Sequence, residues 1–330
     1  MIFKRNNTMK TTLLILVGLS LVLAACLPKT EPPPVDMEEP GVTGEAIETE
    51  ETGEPSREAE AAPEEPETLI PPAEPEMNTL PPDPILQAFQ TIDGVELQGM
   101  FYPAETTSSP VIVLMHWAIG DQTDWRAIAP WLQNRGYAAD LPEGGQPWLD
   151  PSWFPELPSG QSYNVFTFTF RDCVGGCQSF NREGWLLDVE AAMSHVIGLE
   201  NVDLSRVVTM GASIGADGAA YGCHYFNIEL GGCQGALSLS PGGFLTIPYP
   251  EEVANLEEEL ISRPAWCLYG ADDPGSADAC QNASGELYQA TEYPGSAHGM
   301  DLIKPGMDPD PLNLILEFLE LYLECESCSL

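Results

Sequence analysis

Gly211-Ala212-Ser213-Ile214-Gly215 stands directly after the apolar run Val207-Val208-Thr209-Met210 and spells G-x-S-x-G at the end of a predicted strand. A serine hydroxyl is a poor nucleophile at neutral pH, so a site that uses one presents it on a sharp turn, beside a base, with hydrogen-bond donors aimed at the developing oxyanion. Glycine two residues before and two after removes the side chains that would collide in such a turn. The helix-compatible residues 216–221 complete a strand-turn-helix setting that the five residues alone lack. Ser213 reads as a nucleophile, with an ordinary strand-to-helix cap as the alternative.

Working outward, residues 85–90, the Asp93-Gly94 pair and residues 95–102 predict an antiparallel hairpin. Residues 110–115 form a β-branched run without polar breaks, the pattern of a buried strand. Residues 121–135 carry Trp125, Ile128, Ala129, Trp131 and Leu132 at helical spacing, with Asp121 or Thr123 able to cap and Gly136 past the end. Residues 141–163 are rich in Pro, Gly and Trp, lack a period and read as an inserted loop or lid. There Trp148, Trp153 and Phe154 either line an apolar substrate site or pack the loop down.

Residues 165–170 predict a strand, 185–196 a helix with Asp188 on its solvent side, 206–210 the strand into the Ser213 turn and 216–225 the helix leaving it. Further strands are predicted at 235–239, 265–269 and 286–293, an acidic amphipathic helix at 251–262 and a closing helix at 311–322. Strands alternating with helices mean an α/β fold, a mostly parallel sheet with helices on both faces.

The N-terminus carries Lys4, Arg5 and Lys10, then an apolar run over 13–25, then Cys26. This run is too short to span a bilayer and ends in small residues, so 1–25 is a secretory signal, complete whether translation starts at Met1 or Met9. Residues 27–84 hold 17 Asp or Glu against Lys29 and Arg57, with 14 of the chain's 31 prolines. Such a stretch buries too little apolar surface to offset its conformational entropy and is expected to be a disordered tether, about 45 Å across as a flexible coil. Residues 85–330 then form one domain of ordinary α/β size. They carry 34 carboxylates against seven Lys or Arg, which argues against binding nucleic acid or anionic lipid heads. An acidic or saline habitat explains that charge, with attraction of cationic ligands as the sharper reading.

Nine cysteines leave an even eight once Cys26 is set aside, as expected in an oxidising compartment. The simplest pairing is local: Cys173 with Cys177, Cys223 with Cys233, Cys267 with Cys280 and Cys325 with Cys328. Only Cys325-x-x-Cys328 has zinc-like spacing and no second pair joins it, so neither metal nor other cofactor is expected.

Three further motifs follow predicted strands: His116-Trp117-Ala118-Ile119-Gly120, Tyr269-Gly270-Ala271-Asp272-Asp273 and Ser296-Ala297-His298-Gly299. With the Ser213 turn they make residues 85–330 resemble the α/β-hydrolase family, and the His116 loop is similar to that of its dienelactone hydrolase-like members. The resemblance implies Ser213 as nucleophile, His298 as base and Asp273 as its orienting carboxylate, Asp272 being the adjacent turn residue. It implies backbone amides of Ile214 and Ala118 as an oxyanion hole, with the His116 ring bracing that loop. Trp117 stands where the commoner pattern has glycine, which would narrow the acyl pocket. His195, inside a helix, and His224, beside Cys223, have no expected role.

Independently of the resemblance, parallel strands present their C-terminal ends to one sheet edge, so side chains just beyond three such ends converge. Leu23-Ala24-Ala25-Cys26 resembles a bacterial lipobox, which implies lipid on Cys26 and anchorage on the extracytoplasmic side of a membrane. The combined expectation is a lipid-anchored serine hydrolase of small carboxylic esters working through an acyl-enzyme. The alternatives are a peptidase of the serine aminopeptidase or prolyl-oligopeptidase type, and a non-catalytic surface binding lipoprotein.

Overall fold

The computed structural model describes residues 81–135 and 145–324. The signal segment, Cys26, nearly all of the tether, Gly136, residues 141–144 and the Cys325/Cys328 pair lie outside the described residues.

The hairpin forms as its alternation requires: β1 (Ile85–Gln90) and β2 (Glu96–Tyr102) pair antiparallel, and β2 buries alternate residues because one face meets water. In β3 (Ser109–Met115) every residue is buried. Val111, Val113 and Met115 enter one apolar layer and Ile112 and Leu114 the other, since successive side chains leave opposite faces. The remaining strands are β4 (Asn164–Phe168), β5 (Val202–Ala212), β6 (Cys233–Leu239), β7 (Ala265–Gly270) and β8 (Tyr288–Tyr293). They assemble in the order β1-β2-β4-β3-β5-β6-β7-β8, antiparallel at β1/β2 and β2/β4 and parallel from β4 to β8. The sheet grows from β3 in both directions, to β4 on one side and β5 on the other. That reversal opens a crevice beyond the carboxyl ends of the strands.

One face is covered by α1 (Ile128–Leu132) and α6 (Pro311–Leu319), the other by α2 (Arg182–Val196), α3 (Ile214–Glu229), α4 (Tyr249–Glu257) and α5 (Pro274–Asn282). The single helix expected over 121–135 is two pieces, a 3-10 turn at Gln122–Trp125 and α1. Pro130 explains the break, because its ring would strike the Arg126 carbonyl in a continuous helix, whereas as third residue of a new one its missing N–H costs nothing. Helix α4 stops at Glu257 rather than Ser262. The Ser262 hydroxyl donates to the Glu257 carbonyl at 2.9 Å, and Pro264 pushes Arg263 out of helical conformation. Helix α5 was not anticipated from sequence: it is short, holds a glycine and lacks a strong apolar period.

Trp148 and Phe154 are buried, Trp148 edge-on to Trp117 at 5.5 Å and Phe154 edge-on to Trp131 at 5.6 Å. These rings pack the insertion down and do not line an open site. The cysteines close as Cys173–Cys177, Cys223–Cys233 and Cys267–Cys280.

Asp188 corrects the sequence reading, for it faces inward and is fully buried. It accepts from the Arg171 backbone N–H at 2.8 Å and from Arg171 Nε at 2.7 Å, while Arg171 also forks onto Asp93 in the β1–β2 turn at 2.6 and 3.0 Å. Burial pushes the Asp188 carboxyl up to about 6 against the pull of Arg171, and the guanidinium holds Asp93 well below the usual carboxylate range. A helical period marks only which residues share a stripe, and a charge on the inner stripe needs a partner that sequence spacing does not reveal. Arg171→Leu would leave Asp188 buried without its counter-charge. It is expected to lower the unfolding free energy by about 3 kcal/mol, read as a lower urea midpoint, and Asp93→Asn to cost much less because that carboxylate faces water.

Candidate active site

Ser213 sits between β5 and α3 at φ 53° and ψ −113°, a backbone conformation that non-glycine residues rarely adopt. The neighbouring glycines make the turn possible. A Cβ on Gly211 would overlap the Gly215 carbonyl, and one on Gly215 would overlap the Met115 carbonyl at the end of β3. The Ser213 N–H donates to Leu239 at the end of β6, 2.9 Å, which ties the turn to the next strand.

His298, the fifth residue after the end of β8, brings Nε2 to 2.9 Å from Ser213 Oγ. Its Nδ1 lies 2.6 Å from Asp273 Oδ2. An ionised carboxylate only accepts, so the proton belongs on Nδ1 and leaves Nε2 free to accept from the serine hydroxyl. Asp273 follows β7, and Gly270 allows the approach, since a Cβ there would lie 2.7 Å from the Ala297 and Gly295 carbonyls. Asp272, the other candidate, is exposed, and its N–H donates to Gly295 at 2.9 Å. The structure thus brings Ser213, His298 and Asp273 into one hydrogen-bonded line.

Ile214 is the first residue of α3, so its N–H has no acceptor inside the helix and stands at the positive end of the helix dipole. The loop carrying Ala118 is held by His116, which is wholly buried. Phe170 N–H donates to His116 Nε2 at 3.0 Å, so Nδ1 carries the proton and donates to the Trp117 carbonyl at 2.7 Å. Burial holds this imidazole down at about 4, outweighing the Trp117 hydrogen bond. Trp117 turns inward: it is buried, its Nε1 donates to Asp124 at 2.7 Å, and its ring lies where a Cβ on Gly299, beside His298, would come within 2.9 Å. It packs beneath the site and links the His116 loop to the His298 loop.

Two neighbours carry no sequence signal of their own. Asp217, buried in the first turn of α3, accepts from the N–H groups of Gly242, Phe244 and Leu245 and so holds the loop after β6. That loop sets the Phe244 ring edge-on to His298 at 6.0 Å. Asp217 stands four residues after Ser213 in an otherwise apolar helix start. His195 stacks on Phe89 at 4.9 Å and His224 pairs with Glu259 at 3.1 Å, both away from Ser213. A cavity of about 480 Å³ lined by His224, Asn227, Glu259 and Arg263 opens at the far end of α3. One helix length, about 20 Å, separates it from Ser213.

No protein-family profile matches the sequence, and no curated protein matches it. Among solved structures the chain is similar to an esterase of Pyrococcus furiosus at 16% identity, over 73% of this chain and 93% of that one, with a TM-score of 0.50. It is also similar to a dienelactone hydrolase of Anabaena variabilis at 14% identity, over 73% of this chain and 99% of that one, with a TM-score of 0.49. The mixed sheet, its strand order and the first of these likenesses show the α/β-hydrolase fold.

The burial of His116 has a measurable consequence. A ring that titrates near 4 when folded and near 6.5 when unfolded favours folding fully above pH 6.5. That contribution, about 3 kcal/mol by linkage, is lost as pH falls from 6.5 to 4. Asp188 and Asp217, both raised to about 6, act with opposite sign between their unfolded value and 6, so total stability does not isolate the histidine. Its ring nitrogen shifts do: a two-dimensional NMR titration is expected to show His116 as the Nδ1–H tautomer with a midpoint near 4, and a midpoint near 6.5 would contradict this bracing.

Proposed function

We propose that this chain is a serine hydrolase of carboxylic esters, exported and anchored by lipid on Cys26. The observation that carries the reading is the line Asp273–His298–Ser213, with 2.6 and 2.9 Å hydrogen bonds and the serine on a strained turn. In the proposed reaction His298 takes the Ser213 proton as Oγ attacks the ester carbonyl. Asp273 holds the imidazole tautomer and stabilises the imidazolium. The N–H groups of Ile214 and Ala118 donate to the developing oxyanion, an interaction strongest in the tetrahedral state and therefore one that lowers the barrier. The imidazolium gives its proton to the leaving alkoxide, and water then releases the acid by the same steps in reverse. The esterase likeness supports the ester class, and the lipobox with its preceding apolar run supports the anchor.

Ser213→Ala is expected to lower kcat on short p-nitrophenyl esters by at least about 10⁴-fold and to abolish labelling by a fluorophosphonate probe. Full activity in the variant, or a label elsewhere than Ser213, would sink the reading. For the anchor, Cys26→Ala in a bacterial host is expected to end incorporation of labelled palmitate and to release the protein from the membrane fraction. Unchanged incorporation would refute it.

A further inference from the structure

The loop that carries Ala118 is gripped from a side the triad does not use. Beyond β4 the chain runs through residues 170–177 as a tight loop closed by the Cys173–Cys177 disulfide. This loop lies along residues 116–121. Phe170 N–H meets His116 Nε2 at 3.0 Å, Cys177 N–H donates to the Ala118 carbonyl at 2.7 Å, and Gly175 N–H donates to Asp121 Oδ2 at 2.7 Å. Gly176 passes so close that a Cβ on it would lie 3.2 Å from the Ile119 carbonyl.

These bonds fall on both sides of Ala118. The Trp117–Ala118 peptide is held through its carbonyl by His116 and by Gly120 N–H at 3.3 Å. The Ala118–Ile119 peptide is held through its carbonyl by Cys177. Each peptide is a rigid plane, so pinning the planes on both sides of one Cα sets its φ and ψ and the direction of its N–H. The second pin depends on where Cys177 sits. It follows Gly175 at φ 68° and Gly176 at φ 108°, two residues that in an open chain have wide conformational freedom. The disulfide to Cys173, itself fully buried, removes that freedom.

We propose that the Cys173–Cys177 loop positions the oxyanion hole: the sulfur–sulfur bond keeps the Cys177 N–H on the Ala118 carbonyl and thereby aims the Ala118 N–H at the reacting carbonyl. The inference rests on the serine-hydrolase reading. Cys177 touches no substrate and acts through Ala118, so it is a positioning residue. Turnover at full rate then requires the oxidised protein. A dithiol that passes two electrons and two protons to the bond leaves Cys173 and Cys177 as thiols, itself becomes a disulfide, and slows the chemical step while Ser213, His298 and Asp273 stay in place. Such a bond persists in the oxidising compartment that an exported chain reaches.

The test uses the full-length protein and three variants: Cys173→Ser with Cys177→Ser, Gly176→Ala, and as a control Cys223→Ser with Cys233→Ser. The control disulfide lies toward the far end of α3. For each, kcat and KM on p-nitrophenyl butyrate are measured, with the inhibition constant of phenylboronic acid, which forms a tetrahedral anion on a serine. For the first variant kcat is expected to fall about tenfold or more, with KM within about twofold and boronic acid binding weakened in step. The control is expected to show a lower Tm and unchanged kcat. A folded first variant with wild-type kcat overturns the proposal, as does a loss carried by KM with boronic acid binding intact. If that variant does not fold, Gly176→Ala decides by the same readings, because it keeps both sulfurs and presses a methyl group on the Ile119 carbonyl. Failure of the wild-type protein to react with a fluorophosphonate at Ser213 would instead bring down the hydrolase reading beneath it.

Discussion

Ser213 occupies a backbone conformation costing about 1–3 kcal/mol, and the edge of the sheet around it is arranged to hold it there. The turn exists because Gly211 and Gly215 have no side chains where the chain folds onto itself and onto the end of β3. Helix α3 behind it is buried along most of its length, so the strain cannot relax by moving the helix without opening the apolar layer. The serine is therefore presented at a fixed point beyond the sheet, and the loops after β3, β7 and β8 close on that point.

The loops after β3, β4 and β6 are held by buried polar groups. His116 spans from Phe170 to Trp117, Asp217 gathers three N–H groups of the loop after β6, and Asp188 takes both backbone and side chain of Arg171. Each group sits where a missing partner would cost the full desolvation of a polar atom, so each loop has one well-defined position. Apolar contacts alone would tolerate small slides, whereas a hydrogen bond fixes its partners to within tenths of an ångström. Arg171 and Phe170 are adjacent, so the Asp93–Arg171–Asp188 network and the His116 bond share one short stretch of backbone.

Much of this was legible in the chain. The eight strands were expected near their observed positions, with β5 starting four residues earlier than read, because a buried parallel strand such as β3 writes itself as an unbroken apolar run and the hairpin as alternation around Asp-Gly. Ser213, Asp273 and His298 were legible because each follows a strand. Less legible were Pro130, which splits a helix with a correct apolar stripe, and Asp188, whose stripe position was misjudged because its partner Arg171 lies 17 residues away. Trp148 and Phe154 read equally well as a pocket wall or as packing, and their burial against Trp117 and Trp131 is a matter of which surfaces meet.

The sequence by itself determined the kinds of elements, the turn at Ser213 and the residue types around it, because periodicity, glycine spacing and side-chain chemistry are local properties. Only the tertiary structure decided that Asp273 rather than Asp272 faces His298, that Trp117 packs inward, and that Cys177 holds Ala118. Adjacent carboxylates look alike until the loop's direction is known, and a backbone N–H is the same group in almost every residue. The G-x-S-x-G turn marks Ser213 in five letters, while the donors that surround it acquire their positions only by where folding puts them.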